Sequence, residues 1–251
     1  MVNLVTNSFN LDSIEGVIFD KDGTITDSNI YWSKIIKMRA QKIIEYYGIR
    51  PIHFKNICSS MGLDNSSNRL LESGPIAIKS RKEVINSIVD YSKDIEVIFN
   101  YEEIEALFFE VHNEFLPQMD AFIKPIYPCL DLIKRLYHSK VKLSLLTSDT
   151  TKNAELVCKK LKITSYFEHI VGGDLSNHNK SSGIPAKLIC KRMNIENKNV
   201  ICIGDTPIDH EMAVNANLKG SILVESGQIP FNSLLSFSKY CVKNLSEIFI
   251  Y

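Results

Sequence analysis

Net charge is what the chain lacks first: 29 basic residues balance 29 acidic ones over 251 positions. Without a basic excess there is no electrostatic footprint of a protein that holds nucleic acid or an anionic membrane surface. No apolar run approaches the roughly 18 residues of a transmembrane helix. The stretch from Met1 to Glu15 has neither a basic segment nor an apolar core, so it does not read as a secretory signal. The cysteines at 58, 129, 158, 190, 202 and 241 form no C-x-x-C pair, which argues against a zinc knuckle or a thioredoxin-like site. Several of them, such as Cys202, sit in apolar runs and read as buried thiols suited to a reducing compartment. Internal repeats and low-complexity tracts are absent too. What remains, at 45% hydrophobic and 23% charged residues, is globular composition with enough chain for one or two domains. The expectation is a cytoplasmic protein with no nucleic-acid or membrane partner.

The pattern changes along the chain. Gly16-Val17-Ile18-Phe19 is a short apolar run ending in acidic residues and a glycine, which predicts a buried strand and a turn. From Ser28 to about Ala121 the spacing is helical, with no convincing strand. Ile35, Ile36, Ile43, Ile44 and Tyr47 share one helix face, and Gly48 supplies the stop. Ser80-Arg81-Lys82-Glu83 reads as a capping box, and a helix is predicted from Tyr101 to Phe115. After Pro125, strands alternate with helices: strands at Val141–Leu146, Ile170–Val171, Val200–Ile203 and Ile222–Val224, and helices opening near Pro128, Thr150, Pro185 and Ile208. Such alternation implies a parallel sheet covered on both faces. The predicted fold is α/β: a Rossmann-like parallel core, residues 1–28 and 122–251, with an all-helical insertion over 29–121.

Four segments combine residues suited to chemistry. Asp20-Lys21-Asp22-Gly23-Thr24 follows the first strand, so both carboxylates are expected in the crevice where open α/β sheets bind ligands. Gly204-Asp205-Thr206-Pro207-Ile208-Asp209 puts two more carboxylates beyond a later strand. Thr147-Ser148-Asp149-Thr150 offers hydroxyls and free N–H groups at a strand-to-helix junction, which suits a phosphate. Lys180 lies in a polar loop before a helix. Taken singly, each is also explained by turns, caps or a solvated lysine. Their joint placement at strand ends of one sheet favours a site.

Residues 16–28 resemble the first motif of the haloacid dehalogenase (HAD) superfamily nearly residue for residue. Leu145-Leu146-Thr147 is similar to its second motif, Lys180 to its third, and Ile203 to Asp209 to its fourth. The helical insertion lies where that family carries its type-1 cap, and the outline is closest to the phosphoglycolate-phosphatase-like subgroup. Two positions depart from the pattern. Lys180 is followed by Ser181-Ser182-Gly183 rather than by Pro-x-Pro, with Lys187 as a rival, and Ser148-Asp149 stands where the second motif has asparagine.

The resemblance implies a phosphotransferase in which Asp20 attacks phosphorus and forms an aspartyl phosphate, while Asp22 acts as acid and then base. It implies magnesium on Asp20, on the backbone carbonyl of Asp22 and on Asp205, with Asp209 farther from the ion. Thr147, Ser148 and Lys180 would hold the phosphoryl group. Crowding by the other carboxylates should raise the pKa of Asp22. The partner expected is a small phosphorylated metabolite. A β-phosphoglucomutase-type sugar phosphomutase and a non-catalytic binding protein of the same fold stand as alternatives. Lys79, Arg81 and Lys82 read as a helix start and solvated face, with substrate contact as the other option. The six histidines show no ligand spacing.

Overall fold

The computed structural model describes residues 1–76, 78–95 and 97–251. The chain divides into two compact units, Met1–Asp27 with Pro125–Tyr251, and Ser28–Lys124.

In the first unit, β1 (Val2–Val5), β2 (Asn10–Ile14) and β3 (Gly16–Phe19) come first. The second unit holds α1 (Ser28–Tyr47), α2 (Phe54–Ser60), β4 (Leu63–Asp64), β5 (Arg69–Leu70), α3 (Arg81–Ser92) and α4 (Tyr101–Phe115). The first unit then resumes with α5 (Tyr127–His138), β6 (Lys142–Leu146), α6 (Thr151–Lys160), β7 (His169–Val171), α7 (Ile184–Met193) and β8 (Val200–Gly204). It ends with α8 (Pro207–Asn215), β9 (Gly220–Val224), α9 (Phe231–Leu234), β10 (Cys241–Val242) and β11 (Phe249–Ile250).

A six-stranded sheet ordered β10-β9-β8-β3-β6-β7 pairs in parallel throughout. Every residue of β3 is buried, as a strand covered on both faces requires. Its side chains alternate between two cores. Val17 and Phe19 join Leu143, Leu145, Ile201 and Ile203, whereas Ile18 joins Leu146, Val200 and Cys202. The chain leaves β3 toward β6 and β7 on one side and returns to β8 and β9 on the other. β3 therefore marks the point where strand order reverses, and the crevice beyond its carboxyl end is where such sheets bind ligands.

The short strands β1, β2 and β11 form a separate antiparallel sheet that the reading of residues 1–15 did not anticipate. Their length is the reason: β1 and β11 have four and two residues, too few for a period to stand out.

The helical unit has its own core, with Ile36, Ala40 and Ile43 of α1 against Ile104 and Phe108 of α4. Gly48 ends α1 at φ 61°. Ser80 caps α3, its hydroxyl accepting from the Glu83 N–H while the Glu83 carboxylate accepts from Ser80. β4 and β5 form a two-stranded antiparallel ribbon where no strand was expected. Among the described residues no helix is long and apolar enough to cross a membrane. All six cysteines are buried and free.

Candidate active site

The β3–β8 ladder runs one step past the strand, with Asp20 N–H donating to the Ile203 carbonyl at 2.9 Å. The chain then folds around the Lys21 carbonyl, which accepts from the N–H groups of Ile25 (2.8 Å) and Thr26 (3.0 Å). Gly23 makes this turn at φ 87°, and a Cβ there would overlap the Asp205 carboxylate. A Cβ at Gly227, in the loop after β9, would overlap it as well. Both approaches require glycine.

Asp20 continues the face of Ile18. Its Oδ1 lies 2.5 Å from Lys180 Nζ, which is also 2.6 Å from Asp209 Oδ1. Asp209 is fixed at the start of α8 as the capping partner of Thr206, whose N–H and hydroxyl donate to Oδ2 at 3.1 and 2.8 Å. Asp205 accepts from the buried Thr24 hydroxyl at 3.3 Å. One carboxylate oxygen from each of Asp20, Asp205 and Asp209 lies within 4.8 Å of the other two. Asp209 thus belongs to the same buried carboxylate group as Asp20 and Asp205.

Asp22 does not join them. Its carboxylate is held 2.6 Å from Lys21 Nζ, with the Thr26 hydroxyl donating at 3.4 Å. Lys21 continues the face of Val17 and Phe19. It is 1% exposed, and it also meets Asp149 Oδ2 at 3.1 Å. The other Asp149 oxygen accepts from the Thr150 N–H and the Asn153 side chain, at 2.7 and 3.0 Å. The departure at Asp149 thus has a physical reason: it supplies counter-charge to a buried lysine.

Thr147 is buried one position beyond the residue abreast of Asp20, and its hydroxyl accepts from the Asp149 N–H at 3.1 Å. Ser148 is exposed. Among the described residues no hydrogen bond ties Thr147 or Ser148 to the Asp20 group. Lys187 is exposed on α7, away from any ion pair among the described residues, so Lys180 is the lysine that meets the aspartates.

Burial lifts the Asp20 carboxyl from its ordinary 3.8 to about 7, with Lys180 holding it down and Asp209 pushing it up. Asp205 is raised well above its usual range, first by burial and then by Asp20 and Asp209. Burial opposes the charge of Lys180, yet Asp20 and Asp209 together outweigh it and leave the ammonium more firmly protonated. Asp22 is raised as expected, but burial is the main cause, Asp149 adds to it, and Lys21 works against it.

Acidic groups outnumber basic ones here, with Asp20, Asp22, Asp149, Asp205 and Asp209 set against Lys21 and Lys180. Asp209 Oδ1 is buried without an aligned hydrogen bond. An all-oxygen, buried, net-negative donor set fits a hard divalent cation. Lys21 and Thr24 carry no role in the sequence reading, and Asp149 enters it only as a departure from the second motif. The available signal was the period of β3, which aims residue 21 at an apolar core where a lysine requires a carboxylate.

The family model described as haloacid dehalogenase-like hydrolase matches residues 17–223. A phosphoglycolate phosphatase of Aquifex aeolicus (strain VF5) is 24% identical over 218 residues, covering 86% of this chain and 87% of that protein. Among solved structures, a predicted phosphoglycolate phosphatase from Haemophilus somnus 129PT aligns with TM-score 0.74 at 14% identity, over 94% of this chain and 97% of that one. A β-phosphoglucomutase from Clostridium difficile aligns with TM-score 0.66 at 23% identity, over 93% and 92%. At these identities the structural likeness speaks for the fold.

Proposed function

We propose that this chain, which belongs to the haloacid dehalogenase-like hydrolase family, is a magnesium-dependent phosphatase that hydrolyses a small phosphomonoester through an aspartyl phosphate on Asp20. The observation that carries this reading is the buried contact of Asp20 with Lys180, within reach of Asp205 and Asp209, at the central strand end of the sheet.

Asp20 attacks phosphorus through a carboxylate oxygen, and the bond from phosphorus to the leaving oxygen breaks. Asp22 gives that oxygen its proton. Asp22 then takes a proton from water as the water oxygen attacks phosphorus, which breaks the Asp20–phosphorus link and frees inorganic phosphate. Lys21 and Thr26 keep the Asp22 carboxylate in one orientation. Lys180 holds Asp20 and offsets negative charge on the phosphoryl group. Thr147 and Ser148 follow the neighbouring strand β6 and would donate to phosphoryl oxygens. The metal would be held by Asp20, Asp205, Asp209 and the backbone carbonyl of Asp22, and when bound it neutralises the charge that otherwise repels a phosphate dianion.

The name of the Aquifex aeolicus relative supports a small phosphorylated acid as substrate. The buried free thiols suit a reducing compartment, which supports the cytoplasm. The test is phosphate release from p-nitrophenyl phosphate and from 2-phosphoglycolate, with magnesium and with chelator. Metal-dependent release that is lost in Asp20→Asn is expected. Folded protein that turns over neither compound nor a wider panel of phosphomonoesters overturns the reading. Conversion of a sugar 1-phosphate to its 6-phosphate under a bisphosphate primer, in place of net release, assigns a mutase.

A further inference from the structure

Arg39 stands on α1 of the helical unit and is only 7% exposed. Its guanidinium carbon lies 3.7 Å from the centroid of the Phe108 ring on α4. Its Nε is shielded from solvent with no hydrogen-bond partner. No carboxylate pairs with it among the described residues. The terminal nitrogens, equally without acceptors, are not among the shielded atoms. The guanidinium is thus sunk to its neck, with its fork toward solvent.

A second cation is close. Arg81, the first residue of α3, adds positive charge where Arg39 already lacks a counter-ion; burial and then this charge push Arg39 down to about 9. The nearest acid in sequence, Glu83, is committed to capping Ser80 and its hydroxyl, at 2.9 and 2.8 Å. An arginine cannot shed its proton to escape burial. A buried cation with no partner is expensive, and stacking on an aromatic face offsets only part of that. An incoming anion would supply the rest.

We propose that Arg39 anchors a binding site for a small oxyanion, a carboxylate or a phosphate, within the helical unit. The planar fork of Arg39 matches the paired oxygens of either group, and the Phe108 ring fixes the plane of the fork. The oxyanion has two sources, a non-reacting acidic group of the substrate or free phosphate. The first rests on the phosphatase reading; the second does not.

The first measurement is the melting temperature of wild type, Arg39→Met and Arg39→Lys in chloride buffer, with and without inorganic phosphate at matched ionic strength. The phosphate site of the α/β unit contributes alike to all three proteins. The expected result is a smaller phosphate-dependent rise in both variants than in wild type, and an equal rise overturns the proposal. Arg39→Lys keeps the charge without the fork, so it reports even if Arg39→Met fails to fold. The second measurement is the ratio of kcat/KM for 2-phosphoglycolate, which carries a carboxylate, to that for p-nitrophenyl phosphate, which does not. A fall of about 30-fold or more in Arg39→Met assigns the substrate's own acid as the source. An unchanged ratio with a reduced phosphate response assigns free phosphate. A protein inactive on both compounds counts against the phosphatase reading alone, because the melting measurement stands without turnover.

Discussion

Among the described residues three long cations are buried, Lys21, Arg39 and Lys180, and the first two have opposite surroundings. Lys21, in the α/β unit, lies between Asp22 and Asp149 at 2.6 and 3.1 Å. Arg39, in the helical unit, faces an aromatic ring and no carboxylate among the described residues. A cation with its counter-charge built in is part of the architecture, and removing it strands two carboxylates. A cation without one is open to a ligand, and removing it relieves a cost. Burial by itself separates neither case; the partners do.

Four experiments press on that contrast. The largest effect is expected at the reaction centre, where Asp20→Asn should lower phosphate release by about 10⁴-fold or more while the protein remains folded by circular dichroism. Retained turnover would remove Asp20 from the chemistry. Next comes Lys21→Met, expected to destabilise by about 3–5 kcal/mol in chemical denaturation, because it leaves the half-buried Asp22 and Asp149 without their cation. Adding Asp149→Asn to it should recover part of that loss.

The third is the pH dependence of metal-free protein. In the folded state Asp20 keeps its proton up to about 7, against 3.8 ordinarily. Between these values the folded protein binds more protons than the unfolded chain, so this group's contribution to stability falls as pH rises from about 4 to 7. Melting temperatures in chelator should show that decline, and Asp20→Asn should flatten it. The smallest effect is expected from Arg39→Met in anion-free buffer, within about 1 kcal/mol of wild type or above it. A loss as large as that of Lys21→Met would show that Arg39 is already compensated and would erase the contrast.

Much of the site was legible in the sequence because motif residues sit at strand ends. Asp20, Asp205, Asp209 and Lys180 were all picked out by their positions relative to predicted strands and helices, and all four meet. Asp20 and Asp22 both read as carboxylates of the crevice, yet their contacts diverge. The turn that begins at Lys21 breaks the two-residue period and swings Asp22 onto Lys21. Thr24, which holds Asp205 from 181 residues away, gave no sign of that role. β4 and β5 have two residues each, too short for any pattern to declare them.

The order of strands and helices was written in local periodicity, because alternation, caps and stops depend on near neighbours in the chain. So was the acidic character of the strand ends. Which carboxylate would share a lysine, and which arginine would be left without an acid, was settled only when distant segments packed together. Electrostatic energy depends on distance in space and on exclusion of water, and neither is a property of sequence separation.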